Sequence, residues 1–132
     1  MKSSDFKKPL YSAYVLTKEC RNKLLTIFPP SYKERVVAHH VTVQFGNVTA
    51  DDIPTGEEIK IVGVLDTGDG LQALVVSVDG KVDREDGSVY HITWSLSNGY
   101  KPVDSNKMIK KLGYNEIDHP VLVDFEPKVV FV

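Results

Sequence analysis

The stretch AHHVTVQFG, Ala38–Gly46, has a counterpart further along the chain in VYHITWSLSNG, Val89–Gly99. Each holds a histidine, one apolar spacer and a threonine: His40-Val41-Thr42 and His91-Ile92-Thr93. Both stretches are rich in β-branched and aromatic residues, so both read as strands. Side chains alternate across a strand with period two. His40, Thr42 and Gln44 therefore share one face, opposite Val41, Val43 and Phe45. His91, Thr93 and Ser95 share another, opposite Ile92, Trp94 and Leu96. Alternation sends His39 to the face opposite His40, where it reads as structural. A solvated strand face usually carries Lys, Glu or Asp. These two faces carry imidazoles, hydroxyls and an amide, with no formal charge unless a histidine is protonated.

Such a set suits phosphodiester cleavage without a metal. One imidazole takes a proton from the attacking oxygen and the other gives one to the leaving oxygen. Their ordinary pKa, roughly 6.5, allows both roles near neutral pH. Threonine hydroxyls two positions on can donate to non-bridging oxygens as charge builds in the transition state. A single His-x-Thr is a weak pattern that arises by chance. Two copies, both in strands and both with apolar spacers, carry much more weight.

Outward from these strands, Leu10–Leu16 reads as a strand after a polar, basic lead-in of nine residues. Thr17 reads as the N-cap of a helix running to about Phe28, where Pro29-Pro30 stops it. Val36–Phe45 reads as one strand. IKIVGVLDTG and LQALVVSVD read as two strands joined by a hairpin at Thr67–Gly70. Val89–Leu96 is the second motif strand. Asp104 or Ser105 caps a short helix that Gly113 ends. Asp118–Pro120 reads as a turn. VLVDFEPKVVFV reads as a closing strand, with Pro127 marking a bulge or an edge. Six or seven strands and two helices, with hairpin-linked neighbours, predict an α+β fold with largely antiparallel sheet.

The 132 residues are 42% apolar with net charge −2, which fits residues 1–132 as a single domain with a real core. That balance lacks the basic footprint of a protein that grips long nucleic acid. A few local cations would still hold a small phosphate-bearing ligand. One cysteine, Cys20, excludes an intramolecular disulfide and points to a reducing compartment. No signal-peptide pattern opens the chain and no apolar run spans a membrane. The expected location is therefore the cytoplasm, with no membrane partner; oligomeric state is not legible.

The pair HVTV and HITW resembles the 2H phosphoesterase superfamily, whose members carry two His-x-Thr/Ser motifs on strands. The resemblance covers the motif strands well and the rest loosely. It implies a two-lobed, pseudo-symmetric fold of largely antiparallel sheets with flanking helices, one motif in each lobe and a cleft between. It implies a metal-independent enzyme acting on 2′,3′-cyclic phosphates or on 2′-5′ or 3′-5′ linkages. His40 and His91 would be acid and base in an undetermined order, and Thr42 and Thr93 the phosphate-binding hydroxyls. The length and acidic balance are similar to those of phage-encoded members that degrade cyclic nucleotide signals of antiviral defence, in which case the location is the host cytoplasm. They are nearly as similar to an RNA-end-processing branch.

A nucleotide also needs an aromatic platform and cations. Tyr11 and Tyr14 lie on opposite faces of the first strand, so one of them can face the cleft. Lys33 and Arg35 precede the first motif; Tyr100 and Lys101 follow the second. Trp94 reads as core. His119 reads as an exposed turn residue. A metal site drawn from His40, His91, His119 and an aspartate has no ligand spacing behind it, so neither metal nor cofactor is expected. Cys20, on the apolar face of a helix, is not a candidate nucleophile. The rival classes are a non-catalytic nucleotide-binding module using the same cleft and a β-rich structural protein.

Overall fold

A computed structural model describes residues 9–131. Apart from Pro9, which opens the first strand, the polar lead-in lies outside the described residues, as does Val132. The chain runs β1 (Pro9–Leu16), α1 (Lys18–Ile27), β2 (Arg35–Val36), β3 (His40–Phe45), β4 (Ile59–Asp66) and β5 (Leu71–Val78), then β6 (His91–Leu96), α2 (Asp104–Leu112), β7 (Asn115–Val123) and β8 (Phe125–Phe131). The strands form two sheets, one ordered β3-β1-β8 and one ordered β2-β6-β5-β4-β7. All pairings are antiparallel. The fold is α+β and two-lobed, with one motif strand in each sheet.

β5 is the axis of the larger sheet, and every one of its residues is buried. Its alternate side chains feed two cores. Leu74, Val76 and Val78 join Ile92 and Trp94 of β6, Tyr14 of β1 and Leu24 of α1. Leu71, Ala73 and Val75 join Leu96 and Ile109 of α2. The larger sheet is thus a middle layer, with α1 and the smaller sheet on one face and α2 on the other. Full coverage explains why β5 is buried throughout, with Gln72 and Ser77 among its apolar residues, while β4 alternates buried and half-buried positions.

Helix α1 starts where the sequence indicates, with Thr17 Oγ1 accepting from the Cys20 N–H at 3.2 Å. Trp94 is fully buried, and its indole N–H donates to the Phe28 carbonyl at the end of that helix, 2.7 Å away. Gly113, at φ 73°, follows the last residue of α2. Pro127 sits in β8, an edge strand, where a missing N–H costs nothing.

Three expectations are corrected. The stretch expected as one strand from Val36 to Phe45 is two. β2 pairs with β6, whereas β3 pairs with β1 in the other sheet. The chain switches sheets at Ala38, a buried non-glycine residue at φ 42°. That conformation costs about 1–3 kcal/mol. It is held by Ala38 N–H donating to Thr93 O at 3.0 Å, Arg21 Nε donating to Ala38 O at 2.9 Å, and Leu16 N–H donating to His39 O at 2.9 Å. Asp118–Pro120 is not a turn but lies within β7, an edge strand that tolerates a proline. VLVDFEPKVVFV is likewise divided: its first residues close β7 and the rest form β8 in the smaller sheet, with the break at Asp124.

Candidate active cleft

Each motif strand bulges at the same place. β3 pairs Thr42 with Ala13 and Gln44 with Ser12, so Val43 is an extra residue. β6 pairs Thr93 with Ala73 and Ser95 with Gln72, so Trp94 is an extra residue. A bulge re-aims the side chains that follow it. Phe45, expected beside Val41 on the apolar face, therefore joins His40 and Thr42. Ser95, expected beside His91, is fully buried and donates to Gln72 Oε1 at 2.6 Å.

The core-averse faces of the two strands meet across one cavity of about 620 Å³. Its walls include His40, Thr42, Tyr11 and Phe45 from the smaller sheet and His91 and Thr93 from the larger. Lys101, Pro102, Val103 and Asn106, at the entry to α2, line its rim together with Val37 and Arg84. The volume lies within the usual range for small-molecule sites.

The histidines differ in how they are held. His91 Nδ1 lies 2.8 Å from the Val89 carbonyl. A carbonyl only accepts, so Nδ1 carries the hydrogen and Nε2 is left with a free lone pair. Burial pushes His91 below its ordinary pKa. The Val89 hydrogen bond opposes this shift, and the Arg84 charge adds to it. His40 stacks on Tyr11, with ring centroids 4.9 Å apart, and Tyr11 stacks in turn on Phe45 at 6.1 Å. Its Nδ1 lies 3.0 Å from His39 Nδ1. Burial, then the neighbouring His39 and His91 imidazoles, lower His40 from 6.5 to about 4. Both rings are therefore neutral at pH 7 in the empty cleft.

The threonines differ too. Among the described residues, the Thr42 hydroxyl has no protein partner. Thr93 Oγ1 lies 2.8 Å from the fully buried Ser105 hydroxyl and 3.3 Å from the Pro102 carbonyl. Its hydrogen is already committed, so Thr93 as it stands braces α2 against β6. Ser105, expected as a possible helix cap, is spent on this contact, and α2 begins without a side-chain cap.

Arg84 is the charged cavity residue that sequence reasoning missed. It lies between β5 and β6, in the charged segment before the second motif. Nε and Nη2 donate to the two Asp86 oxygens at 3.0 and 2.8 Å, a bidentate pair. Nη1 reaches the Thr42 carbonyl of the opposite lobe at 3.3 Å. Asp86, held further by Ser88, lies well below the usual carboxylate range, chiefly because of Arg84. The sequence signal was slight: one arginine among acidic residues in VDREDGS.

Of the expected substrate contacts, Tyr11 and Lys101 line the cavity; Tyr14, Arg35 and Tyr100 do not. Tyr14 faces the core, accepting the Gly56 N–H at 2.7 Å and meeting Phe125 edge-on. Arg35 is exposed on β2 at the far end of its pairing with β6, and Lys33 is exposed in the preceding loop. Tyr100 packs on the second core, and its hydroxyl donates to Asp69 at 2.8 Å. His119 is exposed on β7, and Cys20 is buried. His39, expected on the opposite face as structural, instead touches His40; it lies just before β3, where strand alternation does not hold. Among the described residues, no three or more His, Cys, Asp or Glu side chains gather to hold a metal ion, and no helix is long and apolar enough to cross a membrane.

No protein-family model matches the chain, and no curated protein matches it. Among solved structures, it is similar to the crystal structure of a fungal RNA kinase, with a TM-score of 0.62 and 11% identity over 92% of this chain. The match takes in 45% of that longer protein. At this identity the likeness is one of fold: the two-lobed architecture is shared with that RNA kinase.

Proposed function

We propose that the cleft is a phosphodiesterase active site that cleaves a small nucleotide phosphodiester by two-histidine acid–base catalysis, without a metal. The observation that carries this reading is the convergence of His40 and His91, from motif strands in different sheets, on one cavity beside Arg84. His91 acts as base, because Nε2 carries its free lone pair. It takes the proton of the attacking hydroxyl or water. His40 gives a proton to the leaving oxygen. Arg84 and the free Thr42 hydroxyl face the non-bridging oxygens, where fixed donors stabilise developing charge without reorganising. The Tyr11–Phe45 stack, with Phe45 71% exposed at the mouth, offers a face for a base. The anionic phosphate raises the low His40 pKa on arrival, which brings the acid into its working form.

The substrate class is a cyclic oligonucleotide signal, a 2′,3′-cyclic phosphate, or a 2′-5′ or 3′-5′ linkage. The fold shared with an RNA kinase favours RNA ends as the second source of such bonds. Incubation with 2′,3′-cyclic mononucleotides, short oligonucleotides and cyclic di- and trinucleotides in EDTA, read by product mass, tests the reaction. Turnover should survive the chelator. His40→Ala or His91→Ala should each lower kcat about 10²–10⁴-fold. Binding without turnover, or wild-type rates in both variants, would instead mark a nucleotide-binding module.

A further inference from the structure

His39 is exposed, adjoins the motif, and plays no part in the two-histidine scheme. It lies between the left-handed Ala38 and the start of β3, outside the strand's alternation, and its carbonyl is fixed by the Leu16 N–H. The ring then lies nearly perpendicular to that of His40, at 81°, with Nδ1 facing Nδ1 at 3.0 Å. Two nitrogens at that distance share one hydrogen, because two bare lone pairs or two N–H groups would repel. Tyr11 covers one face of the His40 ring. His39 therefore controls the one ring edge that the cavity does not.

We propose that His39 is a positioning residue for His40. Its Nδ1–H fixes the His40 tautomer with Nε2–H toward the cavity, and it resupplies His40 with a proton as that one leaves. The inference rests on the phosphodiesterase reading for its catalytic consequence, but not for the hydrogen bond itself. The step starts from the pair carrying one proton more than two neutral rings. In the reaction the phosphorus–leaving-oxygen bond breaks and the His40 Nε2 proton passes to that oxygen. The His39 Nδ1 proton passes to His40 Nδ1. The proton of the attacking group passes to His91 Nε2, as its oxygen bonds to phosphorus. His39 ends neutral, His40 with its hydrogen on Nδ1, and His91 protonated; the cycle closes as His91 gives its proton to water, water returns one to His40 Nε2, and the His40 Nδ1 hydrogen passes back to His39. A buried ring can thus serve as an acid, because an exposed neighbour in contact with it supplies the replacement proton.

The other titratable or charged groups on this cavity are Tyr11 from β1, Arg84 from the β5–β6 connection, His91 from β6 and Lys101 before α2. None of them is hydrogen-bonded to His40 Nδ1, which faces His39.

The test begins with imidazole nitrogen NMR on the intact chain near pH 7. His40 should show one tautomer, Nε2–H, with scalar coupling across the bond between the two Nδ1 atoms. In His39→Phe the coupling should vanish and both His40 tautomers appear. A mixed tautomer in the wild type, or an unchanged tautomer in the variant, overturns the proposal. His39→Phe should also lower kcat about 10–100-fold with KM little changed. Added imidazole, or His39→Gln, should restore part of the loss. Wild-type kcat in His39→Phe likewise overturns it. If the wild type shows the coupled Nε2–H tautomer yet turns over no phosphodiester, the phosphodiesterase reading fails and the His39–His40 bond stands.

Discussion

His40 and His91 occupy equivalent places in two strands that both bulge after the threonine, yet the lobes hold them by unlike means. In the larger lobe His91 is tied to the Val89 carbonyl and Thr93 is committed to Ser105. In the smaller lobe His40 is tied to an exposed imidazole, and no described residue takes the Thr42 hydroxyl. The larger lobe's groups are fixed by main chain and buried hydroxyl. The smaller lobe's groups are free to change partners. Duplicating a motif therefore duplicates position without duplicating surroundings, and the proposed division of base and acid between the two histidines rests on that difference.

Arg84 is where the comparison is broken most forcefully, because it belongs to the larger lobe and bonds the Thr42 carbonyl of the smaller. Arg84→Met should lower kcat about 10²–10³-fold, the scale seen when one fixed transition-state donor is removed. Arg84→Lys should recover part of this, because a point charge cannot keep both Asp86 oxygens and the Thr42 carbonyl. Steady-state kinetics on the best substrate decides it. A change confined to KM would place Arg84 in ground-state binding.

The threonines sharpen the comparison at smaller scale. Thr93→Val leaves the buried Ser105 hydroxyl without its partner and should cost about 1–3 kcal/mol of stability. Thr42→Val should leave stability nearly unchanged and lower kcat. Urea denaturation beside kinetics separates the two. Equal destabilisation by both substitutions would erase the asymmetry.

The smallest effect concerns acid. The folded pKa values of His40 and His91 are lowered, His40 to about 4. The unfolded chain binds protons that the folded chain refuses once pH drops below about 6.5. Their neutral-form stability is fully present above that point and is lost as pH falls toward 4. The urea midpoint should decline across that window, and less steeply in His40→Gln. A parallel decline in the two proteins would remove His40 from the account.

How far the cleft was legible in the sequence depends on the range of the interaction. Thr17 capping α1, the Thr67–Gly70 hairpin and the shared face of His40 and Thr42 follow from neighbours a few residues apart, and each is present in the structure. The bulges at Val43 and Trp94 depend on partner strands, so the side of Phe45 was not readable from alternation. Ala38 has the strand-compatible look of its neighbours; its left-handed turn is imposed by Arg21 and Thr93 from elsewhere in the chain. Arg84 joins the cavity through a carbonyl 42 residues away. Tyr14 and Tyr11 were separable by face, but which face was the core required the packing of Phe125.

The two bulges also differ in a way that bears on assembly. Trp94, fully buried, is tied by its indole to the Phe28 carbonyl, which favours one alignment of β6 against β5. Val43 has no polar handle to play that part for β3. A one-residue slip would reverse every side chain in a strand. The larger lobe is proofread against that error by a single large side chain. In the smaller lobe β3 starts two residues after Ala38, whose N–H is held by Thr93 of the larger sheet, so one end of that strand is anchored from the other half of the cleft.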